Sequence, residues 1–122
     1  MTQEEKELLL KDLTARLPYN VEVDYNNSVC EVLSIDKYNE ELGIWKSPGY
    51  SPIVKLEEVK PYLFPLSSMT EEQYKTYWEL EHSGNMEHLS LPSLDWLNEN
   101  NFDYRGLIPM GLALDATNKN IY

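Results

Sequence analysis

Leu9, Leu10, Leu13 and Leu17 recur at spacings of three and four, an apolar stripe of helical period. Thr2 and Glu5 stand as the two halves of a capping box, and Glu4 and Glu5 put negative charge where a helix dipole favours it. Pro18 ends the segment. The pattern predicts an amphipathic helix of about four turns, which must pack on something.

From Asn20 to about Leu56 the period shortens to two. Val21, Val23 and Tyr25 alternate with Glu22 and Asp24, predicting a half-exposed strand. Asn26-Asn27-Ser28 reads as a turn, since Asn tolerates positive φ. A second strand is expected over Val29 to Ile35, with Val29, Leu33 and Ile35 on one face. A turn at Asn39 to Gly43, a third strand at Leu42 to Lys46, a loop at Ser47 to Pro52 and a fourth strand at Ile53 to Leu56 follow. Pro61 and Pro65 make Lys60 to Pro65 read as an extended connection.

Thr70 and Gln73 form another capping box, so a helix should begin there, with Tyr74, Tyr77 and Trp78 on one stripe that reads as core. A further helix is predicted around Pro92 to Asn100, with Leu94, Trp96 and Leu97 inward. The tail from Phe102 to Leu114 is apolar enough to dock. The expected architecture is α+β, one domain over residues 1–122. It has an N-terminal helix, a small antiparallel sheet or partly open barrel of about four strands, and two C-terminal helices.

Charge narrows the function classes. The chain has 122 residues, with 10 basic against 21 acidic side chains and a formal net charge of −11. Affinity for phosphate comes mainly from Lys and Arg, so neither nucleic acid nor an anionic membrane surface is an expected partner. No apolar run reaches the roughly 20 residues that span a bilayer. The acidic start reads as neither secretory signal nor transit peptide, and Cys30 is the single cysteine, so a cytoplasmic location is expected.

Three stretches are distinctive: Met1 to Lys6 with Leu17-Pro18-Tyr19; Lys60-Pro61-Tyr62-Leu63-Phe64-Pro65 running on to Glu72; and Asp95-Trp96-Leu97-Asn98 with Phe102 to Ile108 and Gly111 to Leu114. In these the chain resembles a family of small uncharacterised proteins of gut bacteria, some carried on prophages and other mobile elements. That family commonly has Arg where this chain has Phe64 and Gly where it has Asn20. The family has no established activity, so the likeness implies a context and no mechanism.

Candidate chemistry is sparse. His82 and His88, beside Glu81 and Glu87, are the only His/carboxylate grouping, but their spacing of six is not that of a helical metal pair. Asp24 to Ser28 begins like a calcium loop, yet Val29 and Ile35 stand where Gly and a bidentate Glu are required. Cys30 lies beside Glu31, which opposes thiolate formation, so it reads as a small packed residue. The pairs Glu40-Glu41 and Glu57-Glu58 read as solvated surface. No nucleophile elbow, phosphate loop or dinucleotide fingerprint occurs, and neither an enzyme nor a cofactor is expected.

Aromatic residues carry the stronger signal. Trp45 and Tyr50 flank the Ser-Pro-Gly loop and Tyr38 lies by the preceding turn. Such side chains either close the margin of a core or bury large area at an interface. The leading expectation is a non-catalytic protein-interaction module, accessory to a phage or mobile element, binding another protein through Tyr38, Trp45 and Tyr50. Self-association through the first helix is open wherever the chain leaves its stripe uncovered. The alternatives are an acidic decoy imitating a nucleic acid and an enzyme whose site assembles from dispersed residues.

Overall fold

The computed structural model describes residues 1–82 and 91–122. Helix α1 spans Gln3–Arg16 and opens on the expected box: Glu5 N–H donates to Thr2 Oγ1 at 3.1 Å, and Thr2 N–H to Glu5 Oε1 at 2.8 Å. Leu9 and Leu13 are wholly buried against Val21, Val23, Leu42, Ile44, Leu56 and Leu63 of the sheet and its margin. Each such leucine contributes about 1.5–3 kcal/mol by leaving water. The stripe is thus covered within the chain, and Leu9 and Leu13 present nothing for self-association.

Strands β1 (Glu22–Tyr25), β2 (Ser28–Asp36), β3 (Glu41–Trp45), β4 (Ile53–Lys55) and β5 (Val59–Pro65) form an antiparallel array in the order β4-β3-β2-β1-β5. Helices α2 (Glu71–Glu81) and α3 (Leu91–Glu99) follow. The chain then returns to the sheet as β6 (Phe102–Asp103) and β7 (Leu114–Asp115), both parallel to β5 and on opposite sides of it. The fold is α+β as expected, with three helices among the described residues. The sheet corrects the rest: it is open, not a barrel, and has seven strands instead of about four. The two later helices are not terminal, because the docked tail supplies two of those strands.

Strand β5 occupies the stretch expected to be a mere connection. Proline removes donors at positions 61 and 65, but the ladder draws on their neighbours. Phe64 N–H donates to the Asn101 carbonyl and Ala116 N–H to the Leu63 carbonyl, each at 2.8 Å. Burial of Val59, Pro61 and Leu63 holds the strand in the sheet.

The facing of β2 also differs from expectation, because Val29, Leu33 and Ile35 do not share one face. Asn26 (φ 49°) and Asn27 (φ 63°) make a two-residue turn that sets Tyr25 opposite Ser28, so Cys30 lies across from Val23 and both point inward. Val29 therefore points outward. A bulge between Val32 and Ser34 leaves Leu33 outside and returns Ile35 to the core side, opposite Leu42.

Helix α2 has no buried residue. It leans chiefly on α3, with the Tyr77 and Trp96 rings 6.2 Å apart. Tyr74 and Trp78, expected in the core, are more than half exposed. One supporting helix can cover only one stripe of α2.

Candidate functional site

Asp12 and Arg16 lie one turn apart on α1, and neither side chain is exposed. Arg16 Nε donates to Asp12 Oδ2 at 2.8 Å, and its Nη2 to Asp12 Oδ1 at 3.0 Å and to the Phe102 carbonyl at 2.7 Å. A second guanidinium joins from the C-terminal segment. Arg105 Nη1 donates to the same Asp12 Oδ1 at 2.8 Å and to the Tyr104 hydroxyl at 2.7 Å. Tyr104 in turn donates to Asn98 Oδ1 at 2.8 Å. Both guanidinium groups sit over the Tyr104 ring, 5.3 and 4.5 Å from its centroid. Nearby in sequence, the buried Asp103 carboxylate takes the N–H groups of Leu107 and Ile108 at 2.8 and 2.9 Å, fixing the chain that presents Arg105.

One carboxylate thus answers two cations, and the cluster carries a formal charge of +1. Arg105 emerges from it at the wall of a groove of about 730 Å³. Leu10, Lys11 and Thr14 of α1 form one side, and Lys37 and Tyr38 of the β2–β3 turn the other. Among the described residues Lys11 and Lys37 have no carboxylate within ion-pair distance. Glu7 and Glu40 also line the groove, but Glu40 is engaged by Lys6 at 3.9 Å and by Gln3 Nε2 at 3.4 Å. The lining, with Lys11, Lys37 and Arg105 against Glu7 and Glu40, is a local island of net charge +1 on a strongly acidic chain. Elsewhere the acids are interleaved with lysines: Lys6 meets Glu57 at 3.0 Å and Lys55 meets Glu41 at 3.1 Å.

The turn is held for display. Asp36 accepts from the N–H groups of Tyr38 and Asn39 at 3.0 and 3.1 Å, and from the Asn39 side chain at 2.8 Å. Those bonds, that of the Asn39 side chain foremost, hold the Asp36 carboxyl below its usual value. Tyr38 itself is 99% exposed.

The three predicted aromatics do not share one patch. Tyr38 precedes β3, whereas Trp45 ends it and Tyr50 lies beyond it, an axial separation of about 13 Å or more at about 3.3 Å per residue. Trp45 is 40% and Tyr50 52% exposed, in a loop closed by paired bonds between the Lys46 and Tyr50 backbones at 2.7 and 2.9 Å. Trp45 lies across from Glu31 on the outward face of the sheet, so it does not close the core. His82 follows α2, its ring stacked on Trp78 at 4.2 Å with Nδ1 2.8 Å from the Trp78 carbonyl. His88 and Glu87 lie outside the described residues. Among the described residues no three His, Cys, Asp or Glu side chains are grouped to hold a metal. Cys30 is buried, which pushes its thiol up.

Sequence reasoning missed the cluster behind the groove. A signal was there: Asp12 and Arg16 each follow a stripe leucine, Leu9 and Leu13, by three, which puts them on the covered face of α1. Nothing local ties them to Arg105, 93 residues beyond Asp12.

No family model, curated protein or solved structure matches this chain. Among the described residues no helix is long and apolar enough to cross a membrane.

Proposed function

We propose that the protein is a non-catalytic interaction module that takes an acidic segment of a partner protein in the groove between α1 and the β2–β3 turn. The observation that carries this reading is the placement of Arg105. One of its terminal nitrogens is clamped between Asp12 and Tyr104, which holds the guanidinium at the groove wall beside Lys11 and Lys37, both unpaired among the described residues. A guanidinium held in place loses little freedom on gripping a carboxylate. Tyr38 at the rim adds area with few torsions to freeze, and Leu10 gives the floor an apolar strip.

At physiological salt, charges more than about 8 Å away are largely screened, so the local island outweighs the net charge of the chain. The interleaving of acids with Lys6 and Lys55 supports this reading over that of a nucleic-acid decoy, which needs a continuous negative array. The motif resemblance agrees with an accessory role on a phage or mobile element, in the cytoplasm.

Fluorescence anisotropy with a labelled glutamate-rich peptide tests the reading. Binding should weaken as salt rises and fall about tenfold in Lys11→Glu or Lys37→Glu, as expected when a favourable charge contact becomes a repulsive one. Equal affinity for a lysine-rich peptide, or affinity unchanged in both variants, overturns it.

A further inference from the structure

Helix α1 covers one face of the sheet, and the alternation of an antiparallel sheet commonly makes the other face polar. On β2 to β4 it is not. Val29, Leu33, Trp45 and Ile53 are all exposed there. The register groups them. Trp45 stands opposite Glu31, which lies between Val29 and Leu33 on β2. Ile53 stands opposite Gly43, which has no side chain to separate it from its diagonal neighbour Trp45. Apolar side chains grouped in water mark interaction surfaces.

The charge beside the patch selects what covers it. Glu22, Glu31 and Trp45 stand in one row across β1, β2 and β3, about 4.8 Å from strand to strand. Carboxylates set opposite each other destabilise a sheet. Among the described residues neither Glu22 nor Glu31 has a cation within ion-pair distance. The lysines of this face stand elsewhere: Lys55 meets Glu41 at 3.1 Å, and Lys60 is opposite Asp24. A cation from outside answers both carboxylates at once. In an extended segment laid along β2, the residues two positions to either side of that cation lie about 7 Å from it. Val29 and Leu33 flank Glu31 at about the same spacing, with Trp45 beside them.

We infer that the outward face of β1 to β4 docks a basic segment of another protein, an Arg or Lys with apolar residues two positions to either side. The cation lies between Glu22 and Glu31, and the apolar residues cover Val29, Leu33 and Trp45. This face is on the opposite side of the sheet from α1. It is separate from the groove at Arg105, whose partner is acidic, and stands or falls independently of it.

Fluorescence anisotropy on the full chain at physiological ionic strength, with a labelled peptide of repeated Leu-Ser-Arg-Ser units, tests the inference. The peptide should bind saturably. Its affinity should fall about tenfold in Glu31→Gln, the loss of one charged hydrogen bond, and about tenfold in Trp45→Ala, the loss of an aromatic anchor. Glu31→Gln removes the repulsion with Glu22 and so keeps the fold, which makes it report on binding even where Trp45→Ala lowers the melting temperature. No binding, or undiminished affinity in Glu31→Gln, overturns the inference. Equal affinity for the peptide with Glu in place of Arg, or with Ser in place of Leu, overturns it too. So does a dimer in sedimentation that Trp45→Ala dissolves, since the face would then be covered by a second copy of this chain.

Discussion

Arg16 closes on Asp12 through two hydrogen bonds, of 2.8 and 3.0 Å, with neither side chain exposed to water. Because Arg105 shares the same carboxylate, Asp12 is, among the described residues, the one anion holding α1 to the segment that follows α3. Removing one member of a buried pair strands the other without hydration, which typically costs about 3–5 kcal/mol. Asp12→Ala should cost that much, read as a lowered denaturant midpoint. A loss under about 1 kcal/mol would show that water reaches Arg16, contrary to its burial.

Glu22 and Glu31 stand directly opposite each other on β1 and β2. Burial first, and Glu31 second, raise the Glu22 pKa above its ordinary 4.5. The folded state therefore holds this proton to higher pH than the unfolded chain does. Stability contributed by the protonated form is lost as pH rises from 4.5 through the raised folded value. Glu31→Gln should raise stability at pH 7 by about 0.2–1 kcal/mol, with the gain vanishing in acid where both carboxyls are protonated. Melting curves at several pH values check both the sign and the window.

A Cβ added at Gly43 would fall well inside van der Waals contact with Ser34 Oγ, whereas Ser34 Cβ would be at an ordinary 3.7 Å. The cross-strand hydroxyl alone thus accounts for the small residue. Gly43→Ala should be neutral or destabilising in the parent, since turning Ser34 aside costs about 0.5–1.5 kcal/mol. In a Ser34→Ala background the same change should stabilise by about 0.5–1 kcal/mol, because glycine loses more freedom on folding. A double-mutant cycle with no coupling would refute the contact.

The facing of β2 is open to a direct comparison. Val32 is buried opposite Ile44, while Leu33, next in the chain, is 49% exposed at the bulge. Val32→Ala should cost about 2 kcal/mol through lost burial and the cavity left behind. Leu33→Ser should stay within about 0.5 kcal/mol, as surface changes do. The opposite ranking would mean that the bulge lies elsewhere.

Features set by near neighbours could be read without the fold. The capping boxes at Thr2/Glu5 and Thr70/Gln73, the Asn26-Asn27 turn and the leucine stripe of α1 each need only residues a few positions apart. Tyr38 was legible too, as an aromatic beside a turn. The groove below it was not, since its positive wall combines Lys11, Lys37 and Arg105 from three distant parts of the chain.

What the sequence by itself determined is therefore the helices, the hairpin turn, the α+β class and the acidic balance, all of which follow from local periodicity, backbone preference or simple charge. Tertiary structure alone decided that β5 is a strand despite two prolines, and that β6 and β7, two residues each, exist at all. It also decided that Leu33 faces water and that α2 keeps Tyr74 and Trp78 outside. The reason is common to all four: a strand edge, a bulge or a covered face is defined by its partner, and here the partner lies on another strand or helix.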